Sequence, residues 1–166
     1  MKTTKFLLLF IIFFSCSGTN LKLQQDTTTQ SSKLTIPLEN SYMGLELQIY
    51  YTPSCLYGYL VSRDYYLTPD ENISKITFKN KEGSSEYYCK THKGNQRVLL
   101  PKGLLDMIIS SLKEKNRIQL EIEGQTAIIE GSNSFAKKFD TLCQKASFFD
   151  KLLEEGLEYL DKNTYQ

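Results

Sequence analysis

His92 is the only histidine among the 166 residues, so a multi-histidine metal site is excluded. It stands three positions after Cys89, and a thiol beside an imidazole is the pairing that activates a cysteine nucleophile. On one strand, however, an odd offset sends two side chains to opposite faces. The sequence therefore predicts no dyad, only an exposed histidine near a hairpin end. Asp106, Asp140 and Asp150 fall on predicted helices and share no motif that specifies general acid–base work. No nucleophile elbow, P-loop or dinucleotide fingerprint occurs. This reading assigns no catalytic residue, no metal ligand and no cofactor.

Contact chemistry is better represented. Seven of the eleven tyrosines lie between Tyr42 and Tyr66. Tyrosine gives rigid contact area with a polar tip, and it also favours half-buried strands. In the doublets Tyr50-Tyr51 and Tyr65-Tyr66 neighbouring rings must point to opposite faces, so some are exposed. Lys75, Lys79, Lys81, Lys90, Lys93 and Arg97 crowd the middle of the chain. They read either as a patch for an acidic ligand or as a solvated edge with protective lysines. The candidate binding face is Tyr50, Tyr57, Tyr66, Lys79, Lys93 and Arg97. Asn72-Ile73-Ser74 is a glycosylation sequon, relevant only in a eukaryotic host.

These residues need elements to hold them. Alternation predicts strands over 42–51, 55–61, 65–68, 73–80, 84–91 and 97–100. Lys81-Glu82-Gly83 joins two of them as a hairpin. The period then changes. Leu104, Leu105, Ile108, Ile109 and Leu112 follow helical spacing, with Asn116 as the stop. Residues 117–123 and 126–130 flank Gly124-Gln125 as a second hairpin. Gly131-Ser132-Asn133-Ser134 supplies N-cap chemistry for a last helix over 133–162. Its seam runs Phe135, Phe139, Leu142, Ala146, Phe149, Leu153, Gly156, Leu160, a heptad pattern. The fold class is α+β: a mainly antiparallel sheet with two helices, the longer one C-terminal.

The N-terminus reads differently. Lys2 and Lys5 precede an uninterrupted apolar run, Phe6 to Phe14, closed by Ser15-Cys16-Ser17-Gly18. Basic, apolar, small is the order of a secretory signal, and the run is too short to span a bilayer. Phe13-Phe14-Ser15-Cys16 resembles the lipobox of bacterial lipoproteins, in the looser spirochaete form because Phe13 stands where leucine is usual. The resemblance implies a thioether-linked lipid on Cys16, cleavage before it, and a place in the cell envelope at the outer membrane or its periplasmic face. The alternative is an ordinary signal cut near Ser15 or Gly18 and a secreted product.

Three segments follow: a signal peptide (1–15), a lipid-anchored flexible tether (16–33) and one globular domain (34–166). The core of the tether, Gln24 to Ser32, has no aromatic or large apolar residue, and the tether is expected not to fold. Stretched out, it would reach at most roughly 55–60 Å. Two basic and no acidic residues precede Cys16, which leaves the remainder at a net charge of −1. That balance shows no electrostatic footprint for nucleic acid or an anionic membrane.

The run Tyr88-Cys89, Val98-Leu99-Leu100, the helix through 104–113, the strands 118–122 and 127–129, and Phe135-Ala136…Phe139 resemble the C-terminal half of invasion associated locus B proteins. The resemblance implies a small exported β-rich architecture. The paired cysteine and the early tryptophan of that family are missing here.

Export favours thiol oxidation. With Cys16 lipidated, Cys55, Cys89 and Cys143 permit one bridge and one free thiol. Cys55–Cys89 is the preferred pairing. Cys89–Cys143 and a buried free Cys143 remain open. The expected function is an exported, membrane-anchored, non-enzymatic binding module whose partners are the membrane, through the lipid on Cys16, and an unidentified protein or host macromolecule. The alternative is an exported enzyme without a recognisable linear motif.

Overall fold

A computed structural model describes residues 21–26, 31–39, 41–52, 54–92 and 94–144. Strand alternation sets most of the architecture. The chain runs β1 (Lys22–Asp26), β2 (Ser31–Pro37), β3 (Leu45–Thr52), β4 (Cys55–Ser62), β5 (Ile73–Asn80), β6 (Gly83–Lys90), β7 (Arg97–Leu100), α1 (Lys102–Lys113), β8 (Arg117–Ile122) and β9 (Gln125–Glu130), then a second helix, α2, over 133–144. All strand pairs are antiparallel. They form a five-stranded sheet, β1-β2-β3-β4-β7, and a four-stranded sheet, β6-β5-β8-β9. Isolated bridges join the two sheets on both sides, Thr91 to Val98 and Glu39 to Ile128.

Side chains at alternate positions point into one shared core. Leu34 and Ile36, Leu45, Leu47 and Ile49, and Leu60 fill it from the first sheet. Ile76 and Phe78, Ile118, Leu120 and Ile122 fill it from the second. The apolar stripe of α1 is buried between the sheets, with contacts to β8 and β4. Gly58 makes room for it, because a Cβ there would lie 2.8 Å from Leu105 Cδ1. The α+β class, with a mainly antiparallel sheet content and two helices, is what the sequence predicts.

Local chemistry fixes the turns. In the β8–β9 hairpin Ile122 faces Gln125, which leaves Glu123-Gly124 as the turn. Both have positive φ, 48° and 74°, the signature of a type I′ turn. The turn is thus one residue earlier than Gly124-Gln125. Asn80 Oδ1 accepts from the Glu82 and Gly83 N–H groups and closes the β5–β6 turn. Ser132 Oγ accepts from Phe135 N–H at 3.1 Å, so Ser132 caps α2.

Two expectations need correction. The tether does not extend to residue 33. Lys22–Asp26 is β1, in register with β2 from Lys22–Thr35 to Asp26–Ser31. Leu21 is buried and Leu23 packs on the core, which repays the ordering of a polar strand. Residues 65–68 are not a strand. Ser62 Oγ donates to the Tyr65 carbonyl at 2.6 Å and Leu67 N–H donates to Asn95 O at 2.7 Å. These loop bonds replace a ladder and plug Leu67 into the core. The expected helix beyond residue 144, including Gly156, lies outside the described residues, as do the signal segment and Cys16.

Candidate binding face

The outer face of the five-stranded sheet gathers side chains from all five strands. Its rows follow from the register: Gln24–Lys33–Tyr50–Tyr57, then Lys22–Thr35–Gln48–Tyr59, then Glu46–Val61–Arg97. Tyr50 and Tyr57 are direct cross-strand partners with stacked rings, 5.1 Å between centroids. Tyr59 meets both edge-on, and the His92 ring meets Tyr59 at 5.1 Å. Lys33 Nζ lies 5.5 Å from the centroid of the Tyr50 ring, in cation–π range. Burial and its ring neighbours push the Tyr57 hydroxyl above its ordinary range.

A polar chain continues from the rings. Tyr50 Oη donates to Gln48 Oε1 at 2.9 Å, Gln48 Nε2 donates to Glu46 Oε2 at 3.0 Å, and Arg63 pairs with Glu46 Oε1 at 3.0 Å. Beside it opens a shallow groove of about 390 Å³ lined by Lys22, Lys33, Arg63 and Arg97 with Gln24, Gln96 and Thr35. Lys22, Lys33 and Arg97 have no carboxylate within ion-pair distance among the described residues. Strands sit about 4.8 Å apart, so cations on β1 and β7 span roughly 19 Å. That spread suits an extended polyanion better than a single phosphate.

The opposite sheet carries a larger hollow of about 870 Å³, over Thr68, Lys75, Lys79, Glu86, Glu121 and Glu123. Both of its lysines are tied to carboxylates, and Asp70, Glu71 and Glu123 leave the hollow net acidic. Lys75 pairs with Glu86 at 3.0 Å and Lys79 with Glu121 at 2.9 Å. Hydrogen bonding to Glu86, then its charge, raises the Lys75 ammonium above its ordinary pKa. Glu123 accepts from Thr68 N–H and Oγ1. Exposed pairs of this kind hold a sheet surface in register but contribute little stability. The candidate binding face is therefore that of the five-stranded sheet, despite its smaller hollow.

The sequence-predicted residues separate accordingly. Tyr50, Tyr57 and Arg97 share the outer face of the five-stranded sheet. Lys79 lies on the other sheet, tied to Glu121. Tyr66 is on the loop after β4, well exposed. Lys93 lies outside the described residues. Lys22, Lys33, Arg63 and Gln48 were missed. Only the alternation of Lys22 and Gln24 with Leu21 and Leu23 could have revealed the first of them.

Cys89 and His92 do not assemble a dyad. Cys89 points into the core at 1% exposure, and His92 faces Tyr59. Burial pushes the Cys89 thiol up to about 11, the reverse of an activated nucleophile. His92 Nε2 is the one buried side-chain nitrogen or oxygen without a hydrogen-bond partner among the described residues. No group of three or more potential metal ligands occurs among them.

Cys55, Cys89 and Cys143 are free thiols, so the Cys55–Cys89 bridge is not formed in this structure. Cys55 is exposed at the β3–β4 turn, hydrogen-bonded to Thr52, whereas Cys89 faces the interior of the other sheet. In the folded protein at pH 8, Cys55 should alkylate readily and Cys89 only after denaturant. Above pH 9 the unfolded chain ionises Cys89 and the folded one does not until about pH 11, so stability should fall across that window. Rapid labelling of Cys89 in the native state would contradict this placement.

Compared with known proteins, the chain matches no protein-family model, no curated protein and no solved structure.

Proposed function

We propose that the protein is an exported lipoprotein held at the cell envelope by a lipid on Cys16, and that its domain is a non-enzymatic binding module. One observation carries the second half. The outer face of the five-stranded sheet sets cations with no carboxylate partner among the described residues beside a prebuilt tyrosine stack, while the two lysines in the opposite sheet's hollow are each paired with a glutamate. Such a face attracts a negatively charged macromolecule and presents rigid aromatic area with little ordering cost. Lys22, Lys33 and Arg97 supply the attraction. Tyr50, Tyr57 and Tyr59 supply the contact surface.

Retention on a sulfated-polysaccharide matrix tests the face. Lys33→Glu and Arg97→Glu should each elute at clearly lower salt than the wild type. Lys75→Glu changes net charge equally on the paired sheet and should shift elution much less. Equal shifts for all three would mean that net charge alone governs retention, and the assignment would fail.

The anchor has its own test. Wild-type protein made in an acylating bacterium should take up a fatty-acid probe and partition into detergent, and Cys16→Ala should do neither. An unlabelled wild type would end the lipoprotein reading.

A further inference from the structure

Three aromatic rings stand out from one end of the five-stranded sheet: Tyr42 at 85% exposure, Tyr65 at 54% and Tyr66 at 72%. Tyr42 is in the turn before β3, and Tyr65 and Tyr66 are in the loop after β4. The register places both loops at the same end, because Leu45 faces Ser62. Met43 O accepts from the Arg63 and Asp64 N–H groups and ties the loops together. This is also the end at which the chain enters the domain. β1 is antiparallel to β2, so Lys22 faces Thr35, close to Pro37 and its partner Glu46.

Cys16 is five residues before Leu21. Five residues span at most roughly 18 Å when fully extended. A lipid on Cys16 would therefore hold this end of the sheet close to the bilayer. Tyrosine is the side chain that suits the headgroup region, with its ring in the apolar boundary and its hydroxyl in water. Of the charges at this end, Arg63 is paired with Glu46 and Asp64 lies beside it, so the tyrosine rings rather than net charge suit the end to the interface.

We propose that the loop end carrying Tyr42, Tyr65 and Tyr66 is a membrane-facing rim that sits in the phospholipid interface when Cys16 is acylated. It adds a second, weak attachment beside the lipid. It also sets the sheet upright on the bilayer, with the binding face turned sideways. This inference rests on the lipoprotein reading above.

The chain has no tryptophan, so a single introduced one is a clean depth probe. Tyr42→Trp, Tyr66→Trp and, on the exposed outer face of β6, Tyr88→Trp are made in the full chain and purified from an acylating bacterium. Each is bound to vesicles of phosphatidylcholine and phosphatidylglycerol with brominated acyl chains. Trp fluorescence from positions 42 and 66 should fall by about half, as expected for an interfacial ring, and that from position 88 should barely change. Intact mass reports acylation separately. Acylated protein with equal quenching at all three positions, or with none, overturns the rim and leaves the anchor standing. Absence of the acyl mass removes the anchor and the rim with it.

Discussion

Phe135→Ala should cost about 3–5 kcal/mol of unfolding free energy, the usual range for emptying a buried aromatic site. Phe135 is the first apolar residue of α2 and is fully buried, stacked on Phe139 with 5.8 Å between ring centroids. Its amide is held by the Ser132 cap, so the start of the helix cannot slide to fill the gap. Phe139 and Leu142 extend the same stripe into the core. Denaturant titration measures the loss. A cost below about 1 kcal/mol would mean that α2 is dispensable to the core and that its packing on the sheets is incidental.

Gly131→Ala should be of similar severity, for the opposite reason. A Cβ at Gly131 would lie 2.4 Å from Leu112 O, 2.7 Å from Lys115 Cα and 2.9 Å from Leu112 Cα. All three are backbone atoms at the end of α1, so no side chain can turn away. The Gly131 N–H also donates to Asn116 O, which pins the two segments together. Separating them to admit a methyl group should cost at least about 2–3 kcal/mol. Gly58→Ala is the control. Its Cβ would also be crowded, but by Leu105 Cδ1, the free end of a side chain that can rotate. Its cost should stay under about 1.5 kcal/mol. Equal losses at the two glycines would show that the α1–β9 junction is not the rigid point described here.

What the sequence disclosed, and what it hid, divides along physical lines. β5 and β7 were legible to the residue, because Ile76 and Phe78, or Val98 and Leu100, alternate cleanly between turn signals. α1 was legible from five apolar residues at helical spacing. β1 was not. Gln24 and Gln25 have low apolar content, and the strand forms only because β2 is there to receive its backbone. The 65–68 stretch erred in the other direction, since Tyr-Tyr-Leu-Thr has strand propensity but no partner edge. For the binding face, the abundance of tyrosine was visible but its pairing was not. Tyr50 meets Tyr57 because a two-residue turn sets Thr52 against Cys55. Lys79 and Arg97 looked like members of one patch. The chain crosses from one sheet to the other between β6 and β7, and that crossing separates them.

The β1–β2 ladder has a mechanical consequence. Tension drawn on the chain through Leu21, directed out of the sheet end along the strand axis, loads β1 lengthwise against β2. The pairs from Lys22–Thr35 to Asp26–Ser31 then share the load at once rather than parting in sequence. Lys138 reaches across from α2 to the Leu21 carbonyl and braces the point where the pull enters. A domain held by its N-terminal end would thus resist being dragged off a surface by shear in a short ladder, and its first failure under force would be the release of β1 with the core of the two sheets intact.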